Sequence, residues 1–444
     1  MKNICDYMII QRDENGFGKG VFAGSFTPSE GRTVAARVMS EDDNMTVVPW
    51  QECETDGNEW KIKLTIPQGG LYRIEARLVP ENACPNNNVC DWGDLIACVY
   101  HVGVGDVYVM AGQSNMSGYG KDPAYDPPEL GVHLYNNAGR WVLAVHPLSS
   151  VPDPIYANND LGSGTSPGLA FGKMMMKKLG VPVGLVAAAR GGSSLEDWNP
   201  AHDDDPYLYY ALREKLKAIG SFKGMIWYQG CNDATNLEEA TIYLEKFKQT
   251  VSLWREEFGY FPIVTCQINR HAFKADGDDR FWGMVREAQR QAAFEIDGVE
   301  VIPTIDMHTV DGIHNTSAAC IAIGERLALS MLRALGERGG LEAPNLKSVK
   351  RTGADTVQLT FAGRNHMLRT MDDLADGMNI EDEKGMMNCV RISVNNDGAE
   401  VQAEREIVGK AVFHAYWKRN VPSFFIRDIY GMPMLACYGV EIEE

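Results

Sequence analysis

The sequence predicts an α/β domain with a parallel sheet, held between two antiparallel β segments. Two patterns carry this expectation. From about residue 106 to 336, short apolar runs alternate with helix-patterned segments, and such alternation calls for parallel strands covered by helices on both faces. On either side, apolar and polar residues alternate with period two, as half-buried antiparallel strands do. The expected division is 1–105, 106–336 and 337–444.

The N-terminal segment shows its period in KIKLTI and LYRIEARLV, punctuated by IPQGG and PNNN. In the middle segment the strands are DVYVM, VGLVAAA, GMIWYQ, FPIVTCQI and VEVIPTI. Between them, SPGLAFGKMMMKKLG reads as a helix started by Ser166 and Pro167 and stopped by Gly180, and LEEATIYLEKFKQTVSLWREEFG as a second. Period two returns in TVQLTF, VRISV and AVFHAYW. The chain carries no internal repeat and no low-complexity segment.

Composition narrows the function classes. The 444 residues have a formal net charge of −18, which argues against nucleic acid or an anionic membrane surface as partner, since both need clustered cations. No window holds the roughly 18 or more consecutive apolar residues of a spanning helix. The start, MKNICDYMIIQRDENG, lacks a sustained apolar stretch and a small-residue cleavage site, so the expected location is cytoplasmic. The ten cysteines are scattered without CxxC spacing and read as reduced core residues, with Cys84 and Cys90 the one close pair.

The residues just past each strand are informative, because an open parallel sheet binds its ligands at the carboxyl ends of the strands. Ser114 comes after DVYVMAGQ; Arg190, Gly191 and Gly192 come after VGLVAAA; QGCND, residues 229–233, comes after GMIWY; and Asp306, His308, Asp311 and His314 come after VEVIPTI. A serine hydroxyl attacks only when a base takes its proton and an acid orients that base. Asp311-Gly-Ile-His314 offers both, the carboxylate turning back onto Nδ1 while Nε2 faces the serine. The order Ser, Asp, His is that of the α/β-hydrolases, but their elbow needs G-x-S-x-G and position 116 is methionine. The serine therefore belongs to a different hydrolase design.

Other readings of the same residues stand beside these. Ser114 could simply form a turn, and Gly191-Gly192 could simply allow helix–sheet packing. Asn232 or Asp233 could cap a helix. His308 is a second candidate base, and Asp306, His308, Asp311 and His314 together would suit a metal. Trp198, Trp227 and Tyr228 are either core or a wall on which a sugar stacks. GSGTSPG, residues 162–168, lacks the GK[ST] of a phosphate loop and reads as a loop over the site.

Taken in order, AGQSNM, RGGSSLEDW, WYQGCND and DGIHNTSAACIAIGERLA resemble the four blocks of the SGNH hydrolases, and within them the sialate O-acetylesterase branch of carbohydrate acetylesterases. The resemblance extends to MIIQRD and WKIKLTIPQGGLYRIEA near the start and to AYWKRNVPSFFIRDIYGMPMLA near the end. It implies a flavodoxin-like α/β domain with Ser114 as nucleophile, His314 as base and Asp311 as its acid. It also implies an oxyanion hole from the N–H of Ser114, a glycine N–H (Gly192 favoured over Gly191), and a side chain that is either Asn232 or Gln229. The branch usually reads QGES where this chain has QGCN, so Cys231 replaces the usual glutamate and the third donor stays open.

The implied activity is removal of O-acetyl groups from an oligosaccharide or sialic acid through an acyl-enzyme, with Trp198 and Tyr228 available to stack on the sugar. No cofactor and no metal are expected; an oligomer is compatible. Two alternatives remain: an esterase or lipase of the same design acting on non-carbohydrate esters, and an inactive carbohydrate-binding protein.

Overall fold

The protein is described by a computed structural model covering residues 1–444 except 273–277, 364–367, 372, 396–397 and 422–425. Part of the segment AYWKRNVPSFFIRDIYGMPMLA, residues 422–425, thus lies outside the described residues.

A single long strand, Asp94–Gly112, organises the first two segments. Its first half pairs antiparallel with Gly69–Pro80, which in turn pairs with Arg32–Ser40. Phe17–Ser25, Glu54–Asp56 and Glu59–Pro67 form a small antiparallel sheet. Every second residue of Glu59–Pro67 is buried, and Trp60, Ile62, Leu64 and Ile66 join Phe22, Val38 and Ile74 in one core. From Asp106 the same strand runs parallel between Val183–Ala187 and Gly224–Tyr228. Residues 105 and 106, the expected division, lie inside it.

The central sheet runs Trp141–Leu143, Val132–Tyr135, Val183–Ala187, Asp94–Gly112, Gly224–Tyr228, Ile263–Cys266, Val299–Ile302. All pairs along this path are parallel except the Trp141–Leu143 edge. VGLVA and GMIWY are buried at every position, as strands covered on both faces must be. The chain enters at the centre and later strands are added on both sides, so the end of Asp94–Gly112 is the topological switch point, where α/β sheets open a crevice. The helix Pro167–Leu179 begins with Ser166 Oγ accepting the Gly168 N–H at 3.1 Å and stops at Gly180, φ +67°. Asn236 caps Leu237–Phe258 in the same way.

The C-terminal segment closes, among the described residues, into a seven-stranded barrel. Its sequence predicts antiparallel strands; closure comes from the parallel pairing of Asn345–Arg351 with Cys437–Glu443, which leaves no free edge. Val349, Leu359, Ile380, Val401 and Phe413 fill the interior. The barrel docks on the α/β domain through buried polar contacts. Arg286 donates to the carbonyls of Tyr416, Trp417 and Lys418, and Gln267 exchanges two hydrogen bonds with the Ala436 backbone.

Candidate active site

The expected site residues divide into those the fold brings to the switch point and those it uses in its core. Gly112 ends the central strand at φ +126°, and a Cβ there would stand 2.4 Å from the Tyr228 carbonyl oxygen. Glycine therefore lets the two strand ends touch, and Gln113 N–H donates to that carbonyl at 2.8 Å. Gln113 Oε1 accepts the N–H groups of Gly230 and Cys231, each at 2.8 Å. These bonds lock the turn Ser114–Ser117 to the loop after the next strand, with Ser114 7% exposed at its start.

Asp311 and His314 meet as their spacing predicts. Asp311 Oδ2 lies 2.6 Å from His314 Nδ1, while Oδ1 accepts the N–H groups of His314 at 2.8 Å and Ile313 at 3.2 Å. Burial pushes the Asp311 carboxyl up, but the His314 ring and these N–H groups outweigh it and hold it below its ordinary value. The loop is tied to the serine turn from both sides. Asn115 Nδ2 donates to the Ile313 carbonyl at 3.2 Å, and Asn115 Oδ1 accepts from Asn315 N at 3.0 Å. Among the described residues no hydrogen bond joins Ser114 Oγ to the His314 ring.

Tyr119 and Asp160 complete the surroundings, and neither belongs to a motif that sequence reasoning could pick out. The Tyr119 ring stacks on His314, centroids 4.5 Å apart and planes 19° from parallel. Its hydroxyl donates to Asp160 Oδ1 at 2.9 Å, and Asp160 Oδ2 accepts the Gly191 N–H at 2.8 Å. Of the glycine pair, Gly192 is the one with left-handed backbone, φ +76°.

The loop after Gly224–Tyr228 separates the two candidate side-chain donors. Gln229 is fully buried, and its Nε2 donates to Asp233 Oδ2 and, at 3.2 Å, to the Ser193 carbonyl. Its Oε1 accepts the Tyr243 hydroxyl at 2.9 Å. Asn232 is exposed and its side chain caps nothing. Asp233 is buried, accepts the Leu195 N–H at 3.1 Å, and has its carboxyl pushed up to about 6 by burial.

Trp198 and Tyr228, expected to stack on a sugar, lie in the core of this structure. Both are 0% exposed. Trp198 donates to Ser193 Oγ, accepts the Trp254 indole N–H and packs edge-on against Trp227. The Tyr228 hydroxyl lies 3.0 Å from Thr304 Oγ1. Neither ring has a free face. Asp306 is held by Arg326 and Arg427 and so does not orient His308. Among the described residues, no three His, Cys, Asp or Glu side chains gather as metal ligands.

Similarity to known proteins covers the same region. Residues 104–333 match the family model described as carbohydrate esterase, sialic acid-specific acetylesterase. A probable carbohydrate esterase of Arabidopsis thaliana is 24% identical over 250 residues, covering 51% of this chain and 90% of that protein. The sialate O-acetylesterase of Homo sapiens is 24% identical over 322 residues, covering 62% of this chain and 58% of the human protein. A carbohydrate acetylesterase structure from Xanthomonas citri superposes with a TM-score of 0.70 at 22% identity, covering 97% of each chain, a likeness of fold through all three segments. The chain belongs to the carbohydrate esterase family of sialic acid-specific acetylesterases, which are carboxylic ester hydrolases.

Proposed function

We propose that this chain is a serine esterase that removes O-acetyl groups from a soluble acetylated sugar through Ser114, His314 and Asp311. One observation carries the reading: Asn115 and Asn315, the residues directly after Ser114 and His314, hydrogen-bond to each other, which fixes the serine turn against a preformed Asp311–His314 pair.

In this scheme Ser114 Oγ attacks the acetyl carbonyl carbon as His314 Nε2 takes its proton, and the Asp311 carboxylate stabilises the imidazolium through Nδ1. The carbonyl oxygen, now an oxyanion, accepts from the N–H groups of Ser114 and Gly192. Gly191 is less suited, since its N–H is already donated to Asp160. Asn232 is the side-chain donor, because the Gln229 amide is committed to Ser193 and Asp233. Each such donor contributes about 2.7–4 kcal/mol at the transition state. The sugar oxygen leaves with the proton from His314, and water activated by the same imidazole releases acetate from Ser114.

The acyl pocket is expected to be small, because the strand ends supply polar residues rather than a run of Leu or Phe that could line a fatty-acid channel, and each excluded methylene costs roughly 1–3 kcal/mol. Initial rates on p-nitrophenyl acetate, butyrate and octanoate test this, with acetate release then measured from O-acetyl sialic acid and from acetylated xylo- and mannooligosaccharides. A steep fall from acetate to butyrate and release from at least one sugar are expected, with and without chelator. Faster octanoate hydrolysis would favour a lipid ester. A folded protein inert on every ester would be a binding protein.

A further inference from the structure

Two glycines at the site have no conformational reason to be glycine. Gly162 and Gly191 both have ordinary rather than left-handed φ. What they share is a neighbour. A Cβ at position 162 would stand 2.9 Å from the Tyr119 hydroxyl, and one at 191 would stand 2.8 Å from both that hydroxyl and Asp160 Oδ2. Contacts below 3 Å force something to move. The backbone is thus kept bare on two sides so that Tyr119 and Asp160 can reach the glycine turn.

The chain of contacts this permits is continuous. His314 lies against the Tyr119 ring, the Tyr119 hydroxyl donates to Asp160, and Asp160 accepts the Gly191 N–H one residue before Gly192. Asp160 also accepts the Gly162 N–H at 3.3 Å. The Asp160 side chain is almost wholly buried and among the described residues has no cationic partner within ion-pair distance. A carboxylate taken from water costs free energy unless hydrogen bonds compensate, and here the compensating donors are those that orient the site.

We propose that Tyr119 and Asp160 are positioning residues that hold the base and the oxyanion turn of this esterase in mutual register. Asp160 fixes the plane of the Gly191 peptide and thereby the direction of the Gly192 N–H, while Tyr119 sets the tilt of the His314 ring and anchors Asp160. This rests on the serine-esterase reading above.

The test uses the full-length chain with Asp160→Asn, Tyr119→Phe, their double variant and Gly191→Ala, assayed on p-nitrophenyl acetate with melting temperatures measured in parallel. Asparagine turns an amide NH2 either on the Gly191 N–H or on the Tyr119 and Gly162 donors, and phenylalanine keeps the stack while losing the hydroxyl. A donor aimed at the transition state changes kcat and not KM. Asp160→Asn should therefore lower kcat roughly tenfold or more with KM within about twofold. Tyr119→Phe should show the same split to a smaller degree, and the double variant should be little worse than Asp160→Asn alone, because both remove one link. Gly191→Ala should resemble Asp160→Asn. Wild-type kcat in Asp160→Asn at a preserved melting temperature would overturn the proposal, as would losses that simply multiply in the double variant. An inactive wild-type protein would instead overturn the esterase reading itself.

Discussion

Asn115 Oδ1 accepts two hydrogen bonds from Asn315, one from the backbone N–H at 3.0 Å and one from Nδ2 at 2.9 Å. Each asparagine comes directly after a candidate triad residue and is almost wholly buried, so this pair transmits the position of one strand end to the other. Asn315 Nδ2 further reaches the Tyr228 hydroxyl, and Asn269 Nδ2 donates to Asn315 Oδ1 at 2.6 Å. Four strand ends are thereby linked beneath the Ser114–His314 gap.

Asn115→Ala leaves both Asn315 donors without their acceptor and frees the His314 loop to shift. A misplacement of about 1 Å can cost on the order of 100-fold in rate, so kcat on an activated acetyl ester should fall at least tenfold. Steady-state kinetics beside a melting curve check this.

The two candidate amides behave differently. Asn232→Ala removes an exposed side chain and should leave the melting temperature near that of wild type while lowering kcat by about 10²–10³. Gln229→Ala strips hydrogen bonds from buried Asp233, Tyr243 and the Ser193 carbonyl, and should lower stability by several kcal/mol, at about 1–3 kcal/mol per unpaired group. Thermal denaturation and kcat, measured on both, distinguish the roles.

Trp198→Phe tests the core assignment. With the indole buried, edge-on to Trp227 and bonded to Ser193 Oγ, the change should lower the melting temperature while KM for an acetylated oligosaccharide stays within about twofold. A selective rise in KM would mean that the ring meets the sugar after all.

Acid should loosen the fold through His133. Burial pushes this imidazole down from 6.5 to about 4. The unfolded chain therefore binds the proton first, and stability is lost as pH falls from about 6.5 towards 4. The full effect is about 3 kcal/mol. His133 Nε2 accepts the Gly131 N–H, a role glutamine can keep, so His133→Gln should reduce the pH dependence of the denaturation midpoint over that interval, with His414, also pushed down to about 4 by burial, supplying part of the remainder.

Local relationships are legible in the sequence. The Asp311–His314 contact needs only a turn of three residues, and the strand ends are marked by apolar runs that are buried throughout in the fold. Ser166, Pro167 and Gly180 mark a helix because capping chemistry acts within a few residues. The surroundings of the other candidates depend on distant chain. Trp198 is closed in only once Trp227 packs edge-on against it, and the Gln229 amide is engaged only once the Ser193 carbonyl and Asp233 approach it. Tyr119 and Asp160 carry no motif, since their roles exist only once loops far apart in sequence meet. Barrel closure likewise rests on pairing the two ends of the last segment.

If Ser114, His314 and Asp311 act as one catalytic unit, removing a second member should add little to the loss of the first. The decisive quantity is kcat of Ser114→Ala, His314→Ala and the double variant on p-nitrophenyl acetate, each confirmed folded by its melting curve. Each single variant should lose nearly all turnover, on the order of 10⁴-fold or more, with the double variant little worse. A folded Ser114→Ala protein that keeps more than about a tenth of wild-type kcat, far above what such units retain, would refute the nucleophile and the triad with it.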